Sequence, residues 1–100
     1  MDNPNHPSAQ NVPVADLGRA IRRLRHERGL TIETLAFASS THPTYVSGIE
    51  RGRRNPTWNV LCALTQALEL PLIELVREAE VEAQLAQRIA EARRELGMAA

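Results

Sequence analysis

The stretch TIETLAFASSTHPTYVSGIERGRRNP, Thr31–Pro56, holds two short helical patterns separated by a polar break and followed by a cationic loop. Thr31 offers a hydroxyl cap to the first pattern, whose inward residues are Leu35 and Ala36 and which runs out near Ser39, room for about two turns. The segment Ser39–His42 is polar, and Pro43 stands where proline is best tolerated, in the opening turn of a helix. From there Val46 and Ile49 mark an inward face and Gly52 a stop. Arg51, Arg53 and Arg54 crowd into the loop just behind this second pattern.

Upstream, Leu17, Ile21 and Leu24 recur at steps of four and three from Asp16 onward, with Gly29 as terminator, which predicts a first helix. Downstream, Thr57 caps a fourth helix with Val60, Leu61, Leu64 and Leu68 on one face, and Pro71 opens a fifth. No Gly or Pro interrupts the chain from Leu72 to Gly97, so the fifth helix is expected to be long, with an apolar stripe of Val81, Leu85, Ile89, Ala92 and Leu96. The leader MDNPNHPSAQNVP, rich in proline and small polar residues, reads as a flexible arm. This divides the chain into an arm (1–13), a helical domain (14–76) and a C-terminal helical extension (77–100).

The chain has 100 residues, 43% hydrophobic and 24% charged, as an ordinary single soluble domain would. Cys62 is its one cysteine, which excludes an internal disulfide framework and fits a reducing, cytoplasmic setting. No apolar run reaches the roughly 18 residues needed for a membrane span. No metal site is expected, because His6 and His26 lack partners at metal-ligand spacing. No paired nucleophile and base and no phosphate-cradling glycine loop is visible, so neither an enzyme nor a cofactor is expected. Net charge is formally zero, yet Asp16–Thr65 holds eight arginines against four acids, an excess of four positive charges, whereas Gln66–Ala100 holds four against seven, three negative. One face of the molecule is thereby marked for an anion.

Two short capped helices across a tight turn, with cations after the second, meet the needs of a helix-turn-helix. The second helix must enter a DNA groove about 12 Å wide N-terminus first, and its opening turn carries free N–H groups and a positive dipole end suited to phosphate. The residues IRRLRHERGLT, TLAFAS, YVSGIERGRRNPT and LCALTQALELPLIEL, in this order and spacing, resemble the lambda-repressor-like, Xre-type regulators of bacteria and phages over about Leu17–Leu75. The resemblance implies an all-α fold: a compact five-helix DNA-binding domain, here with an extended C-terminal helix. It implies a sequence-specific transcriptional regulator that binds double-stranded DNA as a homodimer. Within the motif the second helix would span about 31–39 and the recognition helix about 43–51.

By the same resemblance Pro43, Thr44, Ser47 and Gly48 are the surface positions where the family reads bases. Pro43 and Gly48 carry no side-chain donor or acceptor, which leaves direct readout to Thr44 and Ser47; shape readout or the arm are other sources of specificity. Ser40 stands where the family has a left-handed glycine, and either His42 or Thr41 is placed to cap the recognition helix. Arg25 and Glu50 match a partly buried structural ion pair. Thr31, Tyr45, Arg51, Arg53, Arg54 and Asn55 are placed for backbone phosphates. Trp58 is read as a packing or interface residue. Leu72, Leu75 and Val76, continued by Val81, Leu85 and Ile89, form the expected pairing surface, unless the long helix folds back on its own domain. Two related roles remain open: an antitoxin-like module that also docks another protein through its C-terminal helix, and a restriction-modification controller, to which the ERGRRNP stretch is also similar.

Overall fold

Each expected helix forms, and each is bounded by a recognisable local device. The computed structural model describes residues 12–97 and contains α1 (Val14–Glu27), α2 (Ile32–Ala38), α3 (Pro43–Glu50), α4 (Trp58–Ala67) and α5 (Leu72–Glu95). Nearly all of the leader, residues 1–11, lies outside the described residues. Thr31 and Thr57 cap α2 and α4 by accepting the N–H of Thr34 at 3.0 Å and of Val60 at 3.2 Å. Helix α1 starts at Val14, two residues before the apolar repeat suggests, because Pro13 carries no N–H to lose and its carbonyl accepts from Asp16 and Leu17.

The helices α1 to α4 end alike, with a 6→1 and a 5→2 backbone hydrogen bond around one residue of positive φ. After α3 that residue is Gly52 (φ +74°), and a Cβ there would lie 2.9 Å from the Ala15 Cα, so glycine is required both by conformation and by contact with α1. After α2 it is Ser40 (φ 55°), the position expected to be left-handed, and after α4 it is Glu69 (φ 57°), which no sequence signal marked. Each non-glycine costs about 1 kcal/mol of backbone strain.

The core is Ala20, Ile21 and Leu24 of α1, Leu35 and Ala36 of α2, Val46 and Ile49 of α3, Leu64 and Leu68 around the end of α4, and Leu75 and Ala79 of α5. Helix α1 runs through the middle, packing on α5 along one side and on α3 along the other. Its approach to α3 is very close: a Cβ on Gly18 would fall 2.2 Å from the carbonyl oxygen of Ile49 and 2.7 Å from that of Glu50. Only glycine admits that crossing.

One expectation for α5 changes. Leu75, grouped above with the pairing surface, is fully buried in the chain's own core, because α5 folds against α1 over its first turns, and it is not free to meet a partner. The helix runs unbroken past residue 77, as its composition suggests, and it stays docked there: Ala79 is in the core, and Arg23 of α1 donates to Glu78 at 2.5 Å and to Glu82 at 3.0 Å. The packed body therefore reaches Ala86, and every residue from Gln87 to Gly97 is exposed. Leu72 is partly buried, whereas Val76, Val81, Leu85 and Ile89 are about half exposed. Among the described residues no single helix is long and apolar enough to cross a membrane.

Candidate nucleic-acid interface

Helix α3 presents one side inward and the other to solvent. Val46 and Ile49 are fully buried, and at about 100° per residue the opposite sector carries Thr44, Gly48 and Arg51, flanked by Ser47 and Tyr45. Thr44 and Arg51 are exposed, while Pro43, Tyr45, Ser47 and Gly48 are half-buried. The choice of cap is resolved: His42 Nδ1 accepts the Thr44 N–H at 3.2 Å, whereas the Thr41 hydroxyl is turned back to Ser39 (2.8 Å) and α2. The Thr31 hydroxyl is occupied within α2, accepting the Thr34 N–H and donating to the Thr34 hydroxyl at 2.8 Å.

Helix α3 is held at this angle by a buried ion pair. Arg25 donates from Nε and Nη2 to Glu50 at 2.7 and 3.0 Å, with side chains 9% and 4% exposed, and from Nη1 to the Leu30 carbonyl at 2.9 Å. The Glu50 hydrogen bond holds the Arg25 guanidinium above its ordinary pKa, with burial opposing. Burial works against the charge on Arg23 too, but its hydrogen bonds to Glu82 and Glu78 win and raise its pKa.

These contacts redistribute the positive charge counted in the sequence. Arg19 pairs with the buried Asp16, Arg23 with Glu27, Glu78 and Glu82, and Arg25 with Glu50, while Arg28 donates to the Leu68 and Leu24 carbonyls. Arg28 is thus a clasp between α1 and the end of α4. Of the eight arginines between Asp16 and Thr65, those in none of these contacts are Arg22, Arg51, Arg53 and Arg54, and three of them lie directly behind α3. Arg51, Arg53, Arg54 and Asn55 are all exposed.

Arg54 differs from its neighbours. Its backbone N–H and that of Arg53 donate to the Gly48 carbonyl at 3.2 and 2.8 Å, its Cγ sits 2.6 Å from where a Gly48 Cβ would be, and its guanidinium lies 5.9 Å from the centre of the Tyr45 ring. Gly48 is therefore not a bare patch of helix, since the Arg54 stem covers it. Sequence reasoning missed this and the role of Gly18; the one available signal was a glycine inside each helical pattern.

A family model described as a helix-turn-helix domain matches residues 16–79. This chain belongs to the helix-turn-helix regulators of the lambda-repressor-like, Xre type. The regulator is 47% identical over 60 residues, 60% of its length and 78% of the relative's, to the uncharacterised HTH-type transcriptional regulator y4dJ of Sinorhizobium fredii. Its fold is similar to that of the clp gene regulator ClgR from Corynebacterium glutamicum (TM-score 0.74, 32% identity, 84% of this chain and 89% of that one). It is also similar to the restriction-modification controller protein C.Esp1396I, solved as a tetramer in complex with its natural 35-base-pair operator (TM-score 0.66, 32% identity, 73% and 96%). Among the described residues no group of His, Cys, Asp and Glu is placed to hold a metal ion.

Proposed function

We propose that this chain is a sequence-specific transcriptional regulator that works by occupying duplex DNA in the cytoplasm, with no chemistry of its own. Helix α3 enters the major groove by its N-terminal end, where His42 and Pro43 lie against the backbone and Thr44 and Ser47 face base edges. Tyr45, the capped first turn of α2 at Thr31, and Arg51, Arg53 and Asn55 of the loop behind α3 grip the sugar-phosphate rails, with Arg54 beside them at the DNA surface. The observation that carries this reading is the concentration of unpaired arginines behind a capped helix whose exposed side is polar, while Arg19, Arg23, Arg25 and Arg28 are engaged within the fold.

Two copies bind two-fold-related half-sites, since one recognition helix supplies too little affinity. The half-exposed Val76, Val81, Leu85 and Ile89, with Leu72 at their edge, form the pairing surface. A narrower role as a restriction-modification controller is favoured by the near-complete coverage of C.Esp1396I, and an endonuclease gene beside this one decides for it.

The test is binding to the DNA upstream of its own gene over a series of salt concentrations. Log K is expected to fall linearly with log salt, with a slope of about −0.9 per phosphate neutralised, and Arg53→Ala to flatten it by about one unit per protomer. A salt-independent affinity overturns the reading. Thr44→Ala is expected to relax base preference instead.

A further inference from the structure

Helix α3 has a gap in its reading face. Thr44, Gly48 and Arg51 share one sector, and the middle position has no side chain, although it lies beside Thr44 where the helix meets the groove. The gap is filled from outside the helix. The Gly48 carbonyl accepts the N–H groups of both Arg53 and Arg54, which pins the loop backbone there, and the Arg54 stem lies in the space a Gly48 side chain would take. From that point the side chain runs back toward Tyr45, three residues closer to the N-terminus of α3, and the guanidinium rests 5.9 Å from the ring centre. The guanidinium thus lies beside the ring of a residue in the first turn of α3, the end that enters the groove on the proposed reading. It takes part in no ion pair among the described residues.

On the reading that α3 binds the major groove, we propose that Arg54 is a base-reading residue that recognises a guanine. The planar guanidinium fork matches the O6 and N7 acceptors that guanine presents in the major groove, which neither Thr44 nor Ser47 can engage in this bidentate way. The Tyr45 face restrains the fork before DNA arrives, so less rotamer freedom is lost on binding. Gly48 is a positioning residue: its missing Cβ is what lets Arg54 lie on the helix. Arg53, whose neighbouring side chain has no such seat, remains a phosphate contact.

The experiment uses the full chain and a duplex from upstream of its own gene, with each G·C pair of a half-site replaced in turn and affinities read by fluorescence anisotropy at one fixed salt concentration. For the unaltered protein, one of these replacements is expected to weaken binding by about 5- to 150-fold. Three variants are expected to bring that ratio below about two: Arg54→Ala; Arg54→Lys, which keeps the charge and loses the fork; and Gly48→Ala, which displaces Arg54 by contact while improving helix propensity. Arg53→Ala is expected to leave the ratio intact. If Arg54→Ala weakens every duplex alike and Gly48→Ala changes nothing, Arg54 is a phosphate contact and the inference is wrong, with the regulator reading untouched. If the unaltered protein binds no duplex in a salt-dependent way, both fall together.

Discussion

Replacing Gly18 by alanine sets two effects of known sign against each other. Gly18 lies inside α1, and helix propensity alone favours alanine there by about 1 kcal/mol. The crossing with α3 says the opposite. The new Cβ would stand 2.2 Å from the Ile49 carbonyl oxygen, 2.7 Å from that of Glu50 and 2.9 Å from the Glu50 carbonyl carbon, all of them backbone atoms that no rotamer change removes. Relief needs α1 and α3 to part by more than about 1 Å, against the usual carbon contact distance of about 3.5 Å. That strain loosens Ile21, Val46 and Ile49 and stretches the Arg25–Glu50 pair. Overpacking typically costs about 1 to 3 kcal/mol, and a backbone clash belongs at the upper end. Subtracting the propensity gain leaves a net loss of about 2 kcal/mol, or a fall in Tm of roughly 8 to 16 °C for a domain of this size. Thermal unfolding followed by far-ultraviolet circular dichroism measures it, with a urea titration to check that the m-value holds. An unchanged or raised Tm for Gly18→Ala refutes the close crossing of α1 and α3.

Arg25→Met is expected to lose about 3 to 5 kcal/mol by stranding the Glu50 charge, whereas the double variant Arg25→Met, Glu50→Met recovers most of that loss; denaturant titrations read both. Because the Arg25 pKa is raised on folding, its contribution is complete below the unfolded value and disappears only as pH climbs past the folded one, so the gap between wild type and Arg25→Met stays flat from about pH 7 to about pH 10. Ser40→Gly removes left-handed strain of about 1 kcal/mol but gives back part of it to the unfolded chain, for a net gain of about 0.5 kcal/mol and 2 to 4 °C in Tm. Leu85→Gln is expected to shift sedimentation equilibrium from dimer to monomer with little change in monomer stability, while Leu75→Ala, at a fully buried position, costs about 2 to 5 kcal/mol in chemical denaturation.

The helices were readable because their signals are local. Thr31, Pro43, Thr57 and Pro71 lie next to the starts they specify, and the inward positions Leu35, Val46, Ile49, Leu64 and Leu68 follow from a 3.6-residue period. The Arg25–Glu50 pair was legible only through family resemblance, since 25 residues separate the partners and no periodicity joins them. What periodicity misses is contact between elements. Leu75 shares the apolar character of Val76 and Leu85, and only the docking of α5 on α1 separates a core residue from a surface one. Glu69 takes a left-handed conformation with no glycine to announce it, because the hydrogen bonds of Glu69 and Leu70 to Gln66 and Thr65 outweigh the strain. The arginine count overstated the free charge for the same reason: whether an arginine is available depends on acids such as Glu78 and Glu82, more than 50 residues away.

The bare end of α5 has a consequence for how such a protein can diverge. Residues Gln87–Gly97 are all exposed and extend over about 16 Å. One residue inserted after Ala86 would rotate everything beyond it by about 100° and advance it by about 1.5 Å, with the reading head undisturbed. In a chain that pairs through Val76, Val81, Leu85 and Ile89, such an insertion swings Ile89 out of the stripe and leaves the other three in place, so the strength of pairing is free to drift while the letters of the operator stay the same.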